Sequence, residues 1–525
     1  MKCSSLRFFP ILFVSLAVWA QGHQSFEPDQ KACVALARAG GPVDSAEFVR
    51  PPFTAFAGGT AAGGTAVPPI TVNVPFCRVV GALRPTNDSD IRFELWLPPQ
   101  ADWNSKFQGV GSGDSRGTIE YRALMRGLVR GYATVSTDSG HRSTGGVIWA
   151  FNRPERIIDF GYRAQHLATQ AAKTLTQRFY GRALRYSYFV GCSQGGHHGM
   201  TEAQRFPEDY DGIIAGAPVY SWTDEMVDQA WNARALQQIP SHALSKDKLP
   251  LLAKSVIKAC AGPDGLINDP RKCSFDPASL LCKDANDHQC LTSAEVEAVH
   301  QMYAGPKKSD GVQLSPGLSR GGESDWDWLW SNPERLGGSW QGVFRYMVFD
   351  DEAWDLPKMN FDRDPELARK KLGNTLNPDN PDLSQFAKHG GKMIVYHGWA
   401  DDMVPSEGSV NYFDSVLKFL GTTRTKDFYR LFMIPGMAHC GRGPGANVLF
   451  QSELARNIPL EPKRDMLTAL EHWVEKGEAP EAFVVSRVEE DGQVPRMRLV
   501  CPYPSAATYN GTGDPAQAQN WACSK

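Results

Sequence analysis

The sequence predicts an α/β fold, a mostly parallel sheet with helices on both faces, interrupted by one large insertion. Three observations carry this. Strand-like and helix-like runs alternate from Phe76 to Pro218 and resume at Lys392. Gly191-Cys192-Ser193-Gln194-Gly195 joins an apolar strand-like run to a helix-like one, the pattern of a nucleophile elbow. Two later strand-like runs end in His397-Gly398-Trp399-Ala400-Asp401-Asp402 and in Pro435-Gly436-Met437-Ala438-His439-Cys440, so an acid and a histidine follow the serine in chain order.

The first residues read as a secretory signal: Lys2 and Arg7, an apolar run from Phe8 to Trp19, and a small-residue cleavage site at Ala20. That run is too short to span a bilayer, and no later one is long and apolar enough. Residues 21–75 carry few periodic signals. Strands are predicted at Phe76–Val80, Ile91–Leu97, Lys106–Val110, Gly131–Asp138, Tyr186–Val190 and Gly212–Pro218, with helices over Tyr121–Arg130, Tyr162–Phe179 and onward from the elbow to Phe206. The alternation breaks near Ser221. Residues 221–385 hold helix-like runs, four cysteines and the tryptophans Trp222, Trp231, Trp326, Trp328, Trp330, Trp340 and Trp354. This stretch is read as an inserted lid, with residues 21–220 and 386–525 forming the core and residues 1–20 the signal. The last core strands are Lys392–His397 and Asp427–Ile434, followed by a helix over Arg464–Lys476 and strand-like pieces in the tail.

A formal charge of −3 with no basic stripe excludes nucleic acid as an expected partner, and 42% hydrophobic residues exclude a disordered chain. Without Cys3, which falls in the signal, ten cysteines remain, an even number suited to disulfides in an oxidising compartment. Cys260/Cys273, Cys282/Cys290 and Cys501/Cys523 are the simplest local pairs.

Serine at its ordinary pKa is a poor nucleophile, so Ser193 needs a base and the base an orienting acid. His439 is the expected base. Asp401 is the expected acid, with Asp402 as the alternative. His197 and His198, on the helix after the serine, point away from its hydroxyl, and His397 is expected to make a structural hydrogen bond. The Gln194 amide and an amide of the Gly109–Gly113 loop, with Gly111 preferred, are the expected oxyanion donors. Cys192 precedes the serine and Cys440 follows the histidine. If serine and imidazole meet, a Cys192–Cys440 bridge can tie the base loop to the elbow.

These residues resemble the tannase/feruloyl esterase family, which includes mono(hydroxyethyl) terephthalate hydrolase. The hallmark is Cys-Ser, Asp and His-Cys, matched by Cys192-Ser193, Asp401 and His439-Cys440, and the resemblance runs from about Cys33 to Cys523. It extends through Gly216-Ala217-Pro218, Cys290-Leu291-Thr292, Tyr303-Ala304-Gly305-Pro306 and Trp473-Val474-Glu475. It implies an α/β-hydrolase core with a lid forming the acyl-side pocket, and serine-dependent hydrolysis of feruloyl, galloyl or related aromatic esters through an acyl-enzyme. It also implies the bridges Cys33–Cys77, Cys260–Cys273, Cys282–Cys290 and Cys501–Cys523.

The chemistry needs no cofactor. The family commonly carries a calcium loop in the lid. The matching segment from Cys260 to Asp269 is short and retains few acids, leaving Asp264 and the Leu266 carbonyl as weak calcium candidates. The expected partner is a small aromatic ester, and the expected location the periplasm or the medium. An acyltransferase on the same fold, and an exported binding protein with an idle triad, are the rivals. Product analysis with an added alcohol separates the first, and fluorophosphonate labelling the second. Arg345, between Phe344 and Tyr346, is a candidate for reading a substrate carboxylate or hydroxyl, or for a lid salt bridge.

Overall fold

A computed structural model describes residues 26–38, 40–55, 69–115, 117–143, 146–284, 289–327, 330, 339–451 and 458–524. The expected signal and Trp328 lie outside the described residues. The core is one nine-stranded sheet. We number its strands β1 (Val43–Val49), β2 (Phe76–Leu83), β3 (Ile91–Leu97), β4 (Lys106–Val110), β5 (Ala133–Thr137), β6 (Tyr186–Cys192), β7 (Gly212–Gly216), β8 (Lys392–Gly398) and β9 (Tyr429–Ile434). They lie side by side as β1-β2-β3-β5-β4-β6-β7-β8-β9. Pairing is antiparallel from β1 to β5 and parallel from β5 through β9.

The predicted strands therefore form the sheet, in the arrangement of an α/β-hydrolase. Parallel strands are covered on both faces and need apolar residues throughout. β7, Gly-Ile-Ile-Ala-Gly, is buried along its whole length. On one face Phe107, Phe189 and Ile213 pack with Ala168, Ala172 and Leu175 of the helix Ala164–Tyr180. On the other, Tyr188, Ile214, Ile394 and Phe432 pack against Leu467, Leu470 and Trp473 of the helix Met466–Lys476. Each Leu, Ile or Phe among these, fully buried, contributes about 1.5–3 kcal/mol.

Several elements were not anticipated, among them the helix Glu407–Leu420 between β8 and β9. The helix Glu27–Arg38 and the edge strand β1 fall in the stretch with few periodic signals, and Cys33–Cys77 staples the helix to β2. The helix expected from Tyr162 begins at Ala164, after a π-helical turn over Asp159–Arg163. The five bridges are Cys33–Cys77, Cys192–Cys440, Cys260–Cys273, Cys282–Cys290 and Cys501–Cys523. Beyond β9 the chain returns: Phe432 bridges Pro502, and the Tyr503 amide donates to the Leu431 carbonyl at 2.8 Å.

Between β7 and β8, the described part of residues 222–385 adds no strand to the sheet. Its helices gather around two apolar clusters. Trp222, Trp340, Phe344 and Trp354 join Val147, Trp149 and Phe160, and a second cluster holds Trp326 and Trp330.

Candidate active site

Ser193 stands where β6 ends and the helix Gln194–Arg205 begins. Its backbone has φ 62° and ψ −122°, a left-handed conformation that a side chain tolerates only under surrounding constraint. The constraint is visible in the glycines. A Cβ on Gly191 or on Gly111 would overlap the backbone of Gly195, so these loops pass at a distance only glycine allows. The Ser193 amide donates to Gly216 O at 2.9 Å, anchoring the turn to β7.

Asp401 lies in the turn after β8, fully buried. Its Oδ1 accepts the amides of Met403 and Val404, both at 2.9 Å. Its Oδ2 lies 2.8 Å from His439 Nδ1 and 3.1 Å from His397 Nε2. Burial disfavours the charged carboxylate, but the nearby charge of His439, then the hydrogen bonds from His397 and His439, outweigh it and hold the acid well below its usual range. For His439 the balance runs the same way: burial lowers its pKa, the Asp401 charge and hydrogen bond raise it more, and the net shift is upward.

The alternative acid is engaged elsewhere. Both Asp402 oxygens accept from Arg442 Nη2 at 2.8 Å, and Asp402 Oδ1 lies 3.4 Å from the His439 amide. The geometry favours Asp401, because it is the carboxylate that meets the ring nitrogen.

The Cys192–Cys440 bridge, with Cα atoms 6.0 Å apart, makes the residues after β6 and at His439 neighbours. Among the described contacts no hydrogen bond joins the Ser193 hydroxyl to the imidazole, an arrangement that commonly closes only when substrate enters.

One expectation is corrected. The Gly111 amide donates to Val190 O at 3.1 Å, because it closes the last rung of the parallel β4–β6 ladder, Val110 with Val190. A donor already committed to the ladder cannot hold an oxyanion, so the part played by Gly111 is steric. Gln194 differs: it is the first residue of its helix, where an amide has no partner within the helix.

His197 and His198 are buried, and burial pushes their pKa values down to about 4 and about 3. His197 Nε2 meets the Leu376 carbonyl at 2.8 Å, and both rings approach the Gln194 side-chain amide. They hold the start of the helix and stay neutral. His397 does more than expected, since it shares the Asp401 oxygen that His439 uses. Its spacing of four residues before Asp401 was the available signal.

Glu225, in the first turn of the helix Trp222–Leu236, was missed. It is buried and within electrostatic reach of Asp401 and His439. Burial above all, against the hydrogen bond from Gln229, pushes its pKa up to about 8. A lone glutamate in a helix carries no sequence signal of that environment. Arg345 Nε donates to the Trp354 carbonyl at 2.5 Å, which ties it within its own segment.

The calcium candidates are occupied by protein groups. Asp264 Oδ2 pairs with Arg498, whose Nη2 also bonds Asn268, and the Leu266 carbonyl accepts the Gly262 amide at 2.8 Å. Arg498 lies over the Trp521 ring with its guanidinium 3.2 Å from the ring centre, and burial lowers its pKa to about 10. A guanidinium thus stands where a cation would bind, and with one carboxylate this donor set does not fit calcium, which takes six to eight oxygens.

Residues 77–524 match the profile of "Tannase and feruloyl esterase". An uncharacterized esterase of Xanthomonas campestris is 36% identical over 485 residues, covering 85% of this chain and 84% of that protein. A probable feruloyl esterase B of Emericella nidulans is 33% identical over 467 residues, covering 86% of each. The crystal structure of feruloyl esterase B from Aspergillus oryzae superposes with a TM-score of 0.86 at 28% identity, over 94% of this chain and all of that one.

Proposed function

The chain belongs to the tannase and feruloyl esterase family and is a carboxylic ester hydrolase of that type; within it, we propose that Ser193, His439 and Asp401 hydrolyse esters of phenolic aromatic acids through an acyl-enzyme. The observation that carries this is the buried Asp401 carboxylate 2.8 Å from His439 Nδ1, on a loop bridged to the residue before Ser193.

In this reading His439 Nε2 takes the serine proton as Oγ attacks the ester carbonyl. Asp401 fixes the tautomer and stabilises the imidazolium that forms. The oxyanion is held by the Gln194 amide and an amide of the Gly109–Gly113 loop other than that of Gly111, which is committed to the ladder. His439 then protonates the departing alcohol, and water repeats the sequence on the acyl group. The helical segment 221–385 serves as the lid, and its aromatic clusters suit a flat acyl group. Export is supported by five disulfides, which persist in oxidising compartments. No helix among the described residues is long and apolar enough to cross a membrane.

Ser193→Ala should abolish hydrolysis of methyl ferulate while leaving the circular dichroism spectrum intact; retention of activity removes the assignment. Relative kcat/KM on methyl ferulate, methyl gallate and a terephthalate monoester identifies the acyl group. A preference for aliphatic esters over all three would reject the aromatic-acid reading.

A further inference from the structure

At the opposite end of the Gln194–Arg205 helix from Ser193, three chemistry-bearing side chains converge from separate elements. His166 is in the first turn of the helix Ala164–Tyr180, Glu202 in the last turn of Gln194–Arg205, and Asp209 in the connection to β7. One ligand atom from each lies within 4.8 Å of the others. His166 Nδ1 is 2.7 Å from Asp209 Oδ2, and its ring stacks on Phe206 with centres 3.7 Å apart, which fixes its plane. Gln170 donates to the other Asp209 oxygen and Lys173 to its main-chain carbonyl.

Glu202 is the anomaly. It is 1% exposed, yet among the described residues no nitrogen or hydroxyl donates a hydrogen bond to either carboxylate oxygen. Burial first, then the charge of Asp209 and a hydrogen bond shared with it, hold its pKa well above the usual range, against the opposing charge of Lys173. A buried carboxylate without a donor is expensive, and beside Asp209 it is relieved either by a shared proton or by a cation between the two. Lys173 is one ammonium against two carboxylates, and its bond goes to a carbonyl.

We propose that His166, Glu202 and Asp209 form a site for a divalent cation of the zinc type. One imidazole and two carboxylates are ligands zinc accepts, with room for water at a remaining position. Bonds of about 2.0–2.2 Å place tetrahedral ligand atoms roughly 3.4 Å apart. Binding would open the His166–Asp209 pair from 2.7 Å and draw Glu202, whose ligand atom lies within 4.8 Å of both, toward the ion. His166, a quarter exposed, provides the entry route. The ion would clamp the end of the serine-bearing helix to its neighbour. Its role is structural, and ester hydrolysis does not depend on it.

The test is titration of the chelator-stripped full chain with ZnCl2, read by calorimetry and by Tm. One equivalent should bind, Tm should rise, and both Glu202→Gln and His166→Gln should weaken binding at least tenfold while keeping esterase activity. Absence of saturable binding overturns the proposal. So does binding that survives either substitution at full strength, which would mean that Glu202 and Asp209 share only a proton. Should Glu202→Gln fail to fold, His166→Gln, at the surface, decides the matter alone.

Discussion

Replacing both cysteines of the bridge beside the site, Cys192→Ser with Cys440→Ser, separates two effects that the structure joins. The bridged residues are 248 apart in sequence. The chain-entropy relation for a loop of that size gives about 5.5 kcal/mol of lost stabilisation, above the usual 2–4, so a measured loss of about 2–5 kcal/mol is expected. The second effect is on rate. Cys440 is held at φ 59° inside the short turn that carries His439, and the bridge is a covalent restraint on that turn. Freed of it, the imidazole samples positions away from Ser193, and an ångström of misplacement costs on the order of 10²-fold. The prediction is a fall in kcat of that order with KM little changed, measured on methyl ferulate at a temperature where the variant remains folded, alongside urea unfolding monitored by tryptophan fluorescence. An unchanged kcat would refute the positioning argument, even if stability fell as expected.

Asp401→Asn should lower kcat by about 10⁴, as loss of the orienting acid does in comparable triads, whereas Asp402→Asn should mainly destabilise the fold by loosening its contacts with Arg442. Catalysis needs the neutral imidazole, and Asp401 raises the pKa of His439. The acid limb of kcat/KM against pH should therefore lie above the ordinary histidine value of about 6.5, and Asp401→Asn should move it down; a pH series on both proteins checks this. Asp264→Ala should cost about 3–5 kcal/mol by leaving Arg498 buried without its carboxylate, and added calcium should leave the wild-type Tm unchanged. A calcium-dependent Tm would show that the guanidinium does not fill that place.

The parts of the site that sequence made legible are those attached to strand ends. Ser193, Asp401 and His439 each follow an apolar run whose character is unmistakable, and β6, β8 and β9 deliver them to one edge of the sheet. The errors came where hydrogen bonding depends on register. Gly111 looked like a free amide because glycine marks a close approach, but the pairing of Val110 with Val190, which commits that amide, is encoded by no local pattern. The Arg498–Asp264 pair joins residues 234 apart, and neither has a signal pointing to the other. The helix Glu27–Arg38 lies in a stretch of weak amphipathic pattern, and the disulfide to Cys77 supplies part of what that pattern lacks. Glu225 gained its meaning only from tertiary burial.

The strand that ends the sheet next to His439 would, left bare, present a row of open amides and carbonyls. The Pro502–Tyr503 return covers part of it, and Cys501–Cys523 keeps that return in place. The tail thus occupies part of an edge onto which another strand could otherwise add. A chain cut before residue 501 would expose an edge onto which a second copy can add, and its failure would take the form of aggregates before any loss of chemistry.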